Sequence, residues 1–280
     1  MKKTALALAT LAVMTTAAYA ESSPSSSGDI SVYGGWFDLE DKYNSDHSGD
    51  GYAYGGAIRI NTWLSPTTSL QLDANVDKTT QESDANYDQI VNNYAIHLSH
   101  RDDNVLFGGF ASTGTSRGYS DFDGSRFATL GLETQLTGGN SLVYLQTGVT
   151  KSVSPYNYES APYIRLEAKH FFGPNTMLAA NMGYSDIAYD RGGSTIQHKT
   201  WGVDFEHRFE GSVLSMFASY QGSHNDEVNE HEAWLTHTIL LGLKLNFGSD
   251  TLQAASKTGP TLADYNPITG VERLRLGNWE

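Results

Sequence analysis

The most constraining feature of the sequence is a long alternating run, WLTHTILLGLKLNF, between Trp234 and Phe247. Side chains of an extended strand point alternately to its two faces. One face of this run carries Leu235, His237, Ile239, Leu241, Leu243, Leu245 and Phe247. The other face carries Thr236, Thr238, Leu240, Gly242, Lys244 and Asn246. An alternation over about fourteen residues is too long for the usual globular strand and suits a tilted strand that crosses a lipid bilayer.

This run resembles the closing strand of bacterial outer-membrane β-barrels, which typically ends in an aromatic residue that the barrel assembly machinery recognises. Phe247 stands at the corresponding position. The resemblance is to an architecture rather than to one family. It implies an outer-membrane location, an assembly signal at Phe247, and contact with outer-membrane lipid and lipopolysaccharide.

The first twenty residues have the composition of a secretory signal peptide. Lys2 and Lys3 form a charged head, an apolar run covers 5–13, and Ala18-Tyr19-Ala20 provides an A-x-A cleavage site before Glu21. The whole chain has a net charge of −14, and cleavage removes two lysines and no acid, so the mature net charge is −16. This acidic excess argues against nucleic acid as a partner. The absence of cysteine excludes disulfide and thiol chemistry.

Short turn signals and longer polar links alternate along the chain. The short signals lie at 65–68, 101–104, 137–140, 173–175 and 210–212, with centres about 36 residues apart. The longer links lie at 40–51, 81–87, 113–121, 152–158, 188–195 and 222–233. Outer-membrane barrels show this arrangement, with short periplasmic turns and longer external loops.

The runs between these connections predict an all-β fold, an antiparallel transmembrane β-barrel of about twelve strands. The predicted strands are 29–39, 52–64, 68–80, 88–100, 104–112, 124–136, 141–152, 160–172, 176–187, 196–209, 212–222 and 234–247. The chain is accordingly divided into four predicted segments: a signal peptide at 1–20, a short N-terminal segment at 21–28, the barrel at 29–247 and a polar periplasmic tail at 248–280. The polar composition of the tail predicts that it is mostly disordered.

Aromatic residues near the predicted strand ends are candidates for the girdles at the two lipid interfaces. Ordinary packing beside turns is an equal alternative for any one of them. The candidates are Trp36, Trp63, Phe171, Phe172, Phe209, Trp234 and Phe247.

The inward faces of the predicted strands collect a mixed set of charged residues that would line the lumen. The basic candidates are Arg59, Arg165, Lys169, Arg208 and Lys244. The acidic candidates are Asp73, Asp77, Glu133, Glu167, Asp204 and Glu206. If a three-residue connection at 65–67 closes the second hairpin, Arg59 comes opposite Asp73. Channels for acidic sugars resemble this barrel in strand count but line their pores with arginines, so small neutral or cationic solutes are favoured here.

The sequence therefore predicts a small passive pore of the outer membrane with a mild preference for cations, without enzymatic activity. One alternative is a structural or adhesion barrel, in which the inner charges pair across a closed lumen beneath acidic external loops. Neither the pore nor the structural barrel requires a cofactor.

A second alternative, a hydrolase at the outer rim, needs a suitable pair of side chains. Candidates for an acid–histidine site are Asp186, Asp190, His198, His231 and Glu232. The histidines expected on the lipid face are His170, His207 and His237, and the readable hairpins offer none of them a serine. Acidic loop residues such as Asp46, Asp50 and Asp226 do not form a calcium-binding motif, so no resident metal is expected.

Overall fold

The computed structural model describes residues 26–42, 48–81, 89–117, 125–153, 158–189, 195–227 and 232–262. These residues form twelve strands and one short helix, α1 (Leu252–Thr258). The strands are β1 (Ser26–Asp41), β2 (Gly49–Trp63), β3 (Thr68–Gln81), β4 (Gln89–Asp102), β5 (Val105–Arg117), β6 (Ser125–Gly138), β7 (Ser141–Ser152), β8 (Tyr158–Gly173), β9 (Thr176–Tyr189), β10 (Thr195–Arg208), β11 (Leu214–Glu227) and β12 (Glu232–Phe247). No helix within these ranges is long and apolar enough to span a membrane.

The strands form one closed antiparallel barrel. Each strand pairs with its neighbours in the sequence, and β1 pairs with β12 to complete the ring. Along this seam Gly28 lies opposite Phe247 and Asp41 lies opposite Trp234. Closure satisfies the backbone hydrogen bonds that an open sheet would leave at its edges. The predicted fold class and strand count are confirmed.

The barrel carries its apolar side chains outside and its polar side chains inside. On β6, Leu130 is 72% exposed whereas Glu133 is 2% exposed. Likewise Leu241 of β12 is 63% exposed, and Gln146 of β7 is fully buried. This arrangement is the reverse of that in a water-soluble protein, and an apolar outer surface of this kind requires a hydrocarbon environment.

Two strands continue well beyond their predicted ends. β5 reaches Arg117 through small polar residues that the sequence suggested as a loop, and β11 reaches Glu227 in the same way. Strands here have 12 to 16 residues, more than the roughly 9–11 that cross a bilayer. The extra residues therefore lie beyond the hydrocarbon, where polar side chains carry no penalty and the hydrogen-bonded ladder continues.

The two ends of the barrel differ. At one end, which we call the turn end, short connections join β2–β3, β4–β5, β6–β7, β8–β9 and β10–β11. In the first of them, Leu64 N–H donates to Thr68 O at 2.8 Å, as the predicted hairpin requires. Gly139 and Gly211 occupy positive φ angles of 55° and 67° in two others, which glycine adopts without strain. The start of β1 and the end of β12 also lie at the turn end, and the opposite end is the loop end.

The girdle prediction is wrong for three aromatic residues. Phe171 and Trp234 are each 1% exposed, on inner faces of the barrel. Trp63 is paired with buried Ser69, and the Arg101 guanidinium lies 5.7 Å from its ring centroid inside the barrel. Phe172, the neighbour of Phe171, is 67% exposed and faces outward. Proximity to a strand end does not determine the face, because successive side chains alternate.

Candidate functional site in the barrel interior

The eleven charged residues proposed to line the lumen lie on the inner faces of six strands. Arg59 belongs to β2, Asp73 and Asp77 to β3, Glu133 to β6, Arg165, Glu167 and Lys169 to β8, Asp204, Glu206 and Arg208 to β10, and Lys244 to β12. The structure brings most of them into small groups with polar neighbours and leaves Arg208 at the turn end.

Arg59 lies opposite Asp73 in the β2–β3 register, as predicted. Its ion pair, however, is with Asp29 of β1, at 2.7 Å from Nη2 to Oδ2, with a second contact of 3.3 Å from Nε to Oδ1. The third nitrogen, Nη1, donates to the backbone oxygen of Thr261 at 3.0 Å. Asp29 forms this ion pair because it lies opposite Arg59 on the other neighbouring strand, β1. Asp73 has other partners.

Asp73 belongs to a buried group centred on His97 of β4, which we call the His97 cluster (His97, Asp73, Glu133, Gln71 and Tyr144). His97 Nδ1 lies 3.1 Å from Glu133 Oε2, and its Nε2 lies 3.2 Å from Asp73 Oδ2. The Gln71 amide donates to Asp73 at 2.9 and 3.0 Å, and the Tyr144 hydroxyl donates to Glu133. The side chains of His97, Asp73 and Glu133 are 1%, 4% and 0% exposed. Two carboxylates thus share one imidazole away from solvent.

A second set of ion pairs lies on β8, β10 and β12. Glu167 contacts Lys169 at 3.1 Å and Arg165 at 3.6 Å, and Glu206 contacts Lys244 at 2.5 Å. The two carboxylates are each 4% exposed, whereas the basic side chains are 16% to 20% exposed. The acids therefore lie against the wall, and the basic groups reach toward the solvent inside the barrel.

The two remaining acids of the proposed lumen set, Asp204 and Asp77, accept hydrogen bonds from neutral donors. Asp204 accepts hydrogen bonds from Ser219 at 2.5 Å and from Gln221 at 3.2 Å. Asp77 accepts one from the Tyr33 hydroxyl at 2.5 Å. Hydrogen bonds to an ionised carboxylate are among the stronger ones in proteins, so these acids are held in fixed positions.

Sequence reasoning missed several residues of this interior, namely His97, Arg101, Tyr144 and Asp29. The signal was present in the alternation. His97 and Arg101 share the odd-numbered face of β4 with Gln89 and Asn93, which are polar and buried. The even-numbered face carries the exposed apolar residues Ile90, Tyr94, Ile96 and Leu98. Assignment of one face from the apolar residues would have placed both of them inside.

The C-terminal segment 249–262 enters the turn end of the barrel, which corrects the prediction that the tail is disordered over these residues. Leu252 is 4% exposed and packs with Phe171, Met177 and Ala179 on the inner faces of β8 and β9. The Thr251 side chain caps α1 by accepting from Ala254 N at 3.1 Å. The inner apolar contact and the cap together fix this short helix in the mouth. Residues 263–280, including the alternating run 271–276, lie outside the described residues.

Beyond the helix, the segment reaches the His97 cluster. Thr261 N–H donates to Gln71 Oε1 at 2.6 Å, and the Thr261 hydroxyl lies 3.1 Å from Glu133 Oε2. Arg101 Nη2 donates to Gly259 O at 3.2 Å. The segment therefore contacts both the wall of the mouth and the buried charges deeper in the barrel.

Further contacts hold the segment at the rim. Arg208 Nη1 donates to Ser249 O at 2.8 Å, and Gln253 N–H donates to Pro174 O at 2.9 Å. Lys257 Nζ donates to Gly139 O at 3.0 Å. Together with the contacts described above, the segment touches strands or turns of the mouth between β2 and β10.

The acid–histidine candidates for a rim hydrolase are not brought together. His198 faces inward, is 1% exposed and lies 2.5 Å from Asn225 Oδ1. Asp186 pairs with Gln197 in the β9–β10 register and so lies on the opposite face, where it accepts from Tyr184. Asp190 and His231 lie outside the described residues, as does the side chain of Glu232.

The outer-face histidines each contact a hydroxyl on a neighbouring strand. His170 Nδ1 lies 3.0 Å from Ser141 Oγ, His207 Nδ1 lies 2.9 Å from Thr176 Oγ1, and His237 Nδ1 lies 2.8 Å from the Tyr220 hydroxyl. The first contact is a serine–histidine pair that the hairpin connections did not reveal, since β7 and β8 are joined by a long loop. Among the described residues, His170 has no carboxylate partner to orient it, so the third member of a triad is missing.

Comparisons with known proteins were made on both sequence and structure. No protein-family model matches the sequence, and no curated protein matches it. Solved structures similar to the barrel include an outer-membrane channel from Pseudomonas putida F1, with a TM-score of 0.59 and 13% identity over 81% of this chain and 97% of that chain. Another is the monoaromatic hydrocarbon channel CymD, with a TM-score of 0.51 and 8% identity over 81% of this chain and 90% of that chain.

These similarities extend to the whole barrel, and both the closed ring and the apolar outer surface agree with them. The protein is an outer-membrane β-barrel. The predicted location and architecture are therefore confirmed. In an outer-membrane β-barrel the short turns face the periplasm and the longer loops face outward. Phe247 ends β12 at the turn end, and its role as an assembly signal stays a prediction.

The orientation of the outer-membrane barrel can be tested with single cysteines in a chain that has none. We expect cysteines at Ser48 and Val153, which lie at the loop end, to react with a membrane-impermeant maleimide on intact cells. Cysteines at Pro66 and Asp103, in exposed turns, should react only after the outer membrane is permeabilised. Ser223, which the sequence suggested as a loop residue, is unsuitable because it lies within β11, where it pairs with Thr200 of β10. Labelling of the turn-end pair alone on intact cells would show an inverted barrel.

Proposed function

We propose that this outer-membrane barrel is a passive pore for small solutes, with a mild preference for cations. The observation that carries this proposal is the state of the inner charges. Arg59 and Arg165 are 20% exposed in the interior, and Lys169 and Lys244 are 17% and 16% exposed. Charged groups that keep contact with solvent on the inner face favour a hydrated lumen over a fully packed one.

The expected charge preference is small because the interior is nearly balanced. The proposed lumen set has six acids and five bases, and the structure adds Asp29, Arg101 and His97 to the same wall. With these additions the wall has seven acids against six permanently charged bases and one imidazole, so the acidic excess is at most one charge and the preference for cations is weak. It is opposed by the orientation of the ion pairs, in which the basic members are the more exposed.

Arg59 provides the test of this charge preference. In a barrel lacking 249–280, so that the contact with Thr261 plays no part, Arg59→Ala should shift the reversal potential in a salt gradient toward cations, because Asp29 loses its counter-charge. The free energy of unfolding should change by only about 0–1 kcal/mol if the pair is hydrated. Lys151→Ala, on the exposed outer face of β7, is the control and should leave the reversal potential unchanged. An unaltered reversal potential in Arg59→Ala would remove Arg59 from the conducting path.

A closed structural barrel is the second candidate, and the His97 cluster favours it. That cluster is almost completely shielded from solvent, and residues 249–262 lie across the mouth below it. Liposome swelling with a small neutral sugar separates the two functions. A pore should admit the sugar at least when residues 249–280 are removed, whereas a structural barrel should exclude it with or without the tail.

We infer that the protein is not an enzyme. The separation of His198 from Asp186 and the two-membered Ser141–His170 contact support this inference, since a hydrolase needs a nucleophile, a base and an orienting group within hydrogen-bond reach. Purified protein should therefore show no turnover of peptide or phospholipid substrates. Turnover that is lost in Ser141→Ala would contradict the inference.

A further inference from the structure

The contacts of residues 249–262 have a particular chemistry. Most of the barrel side chains that hold this segment donate to its backbone carbonyl oxygens: Arg208 to Ser249, Gln135 to Ser256, Asn61 to Thr258, Arg101 to Gly259 and Arg59 to Thr261. A surface that presents donors to five carbonyl groups along one segment is suited to binding a peptide, whatever most of the peptide's side chains are.

Only two side chains of the segment are deeply engaged. Leu252 fills an apolar site formed by Phe171, Met177 and Ala179. The Thr261 hydroxyl lies in the His97 cluster, 3.2 Å from Gln71 Oε1 and 3.1 Å from Glu133 Oε2, and Thr261 is 5% exposed. By contrast, Thr258 is exposed, and its hydroxyl donates only within α1, to Ala254 O.

The segment depends on the barrel for its order. Its helix has seven residues, and isolated helices shorter than about 12–15 residues are marginal in water. The segment is joined to β12 through Gly248, whose φ of 74° turns the chain back into the mouth. It is therefore a short ligand on a short tether, held by contacts that can separate without unfolding a strand.

We propose that residues 249–262 are a tethered peptide that reversibly blocks the pore, and that the turn-end mouth is a peptide-binding site. The site recognises an apolar residue followed, nine positions later, by a threonine whose hydroxyl enters the His97 cluster. This inference rests on the proposed pore function. Removal or displacement of the segment opens the periplasmic mouth, and a free peptide of the same sequence closes it again.

The experiment uses macroscopic current in planar bilayers. The full chain should conduct less than the chain lacking 249–280. A synthetic peptide of residues 249–262, added on the side of the turn end, should block the deleted barrel with half-block at about 1 mM or below. A tethered segment stays bound only if its dissociation constant does not exceed the effective concentration that its tether supplies, which for short tethers is about 1 mM. For the same peptide with Leu252→Asp, the concentration for half-block should be higher by roughly tenfold or more, since the binding contribution of a buried leucine is lost.

Two substitutions in the full chain complete the test. Thr261→Val replaces the buried hydroxyl without loss of volume and should raise the current toward that of the deleted barrel. Thr258→Val, three residues earlier and exposed, should not. If the full and deleted chains conduct equally and the peptide blocks neither, the tethered-peptide inference is overturned and the pore remains. If the folded, deleted barrel does not conduct, the pore function itself is overturned, and this inference with it.

Discussion

Replacement of His97 by alanine should lower the free energy of unfolding by about 3–5 kcal/mol, the cost of leaving buried charges without a partner. The imidazole lies 3.2 Å from Asp73 and 3.1 Å from Glu133. Without it, two carboxylates with almost no access to solvent would keep only neutral donors. Urea unfolding of the refolded barrel in detergent micelles, followed by tryptophan fluorescence, measures the change.

The matched control for this prediction is His100→Ala. His100 belongs to the same strand but faces outward and is exposed, so its removal should change stability by less than about 0.5 kcal/mol. Equal stability of the two variants would show that the His97 cluster is hydrated rather than buried. The cluster would then resemble the partly exposed basic groups of β8 and β12 in its access to solvent.

With Gly35→Ala, most molecules should fail to close into a barrel. A β-carbon at Gly35 would lie 1.8 Å from the carbonyl oxygen of Ile239 on β12, and a backbone atom cannot move aside as a flexible side chain can. Gly35 stands on the seam where β1 meets β12, so the clash separates the first strand from the last. Overpacking ordinarily costs about 1–3 kcal/mol, and a contact with backbone at this distance lies at or beyond the upper end.

Gly138→Ala is the control, because a β-carbon there would have nothing within 4 Å. Both variants can be followed by heat-modifiable mobility on SDS gels, which separates closed from unfolded barrels. Gly138→Ala should fold like the parent chain, whereas Gly35→Ala should run mainly as the unfolded form. Similar folded fractions for the two would mean that the seam has another register.

The strand architecture could be predicted because it rests on alternation, which local sequence displays. Arg59 came opposite Asp73 as the length of the turn required. The ends of β5 and β11 were missed because residues there, such as Ser116 and Asn225, are polar, and polar stretches suggest loops. In the structure these residues face inward, where a barrel accepts polar side chains.

The site was harder to predict because its contacts cross the barrel. Arg59 forms its ion pair with Asp29 of β1 rather than with Asp73 of β3. No pattern within the β2–β3 hairpin shows that the two acids compete for the guanidinium. Thr261 lies 128 positions from Glu133 along the chain. A polar tail with one leucine in a short helix gives no local sign that its order is supplied by the mouth of a barrel.

Single-channel recording of the chain lacking 249–280 tests the central proposal most directly. The purified barrel, shown to be folded by its heat-modifiable mobility, is added to a planar bilayer in symmetric potassium chloride. A passive pore predicts discrete current steps that are linear in voltage, with a reversal potential slightly on the cation side in a salt gradient. A folded barrel that inserts and produces no steps would contradict the pore and favour the closed structural barrel.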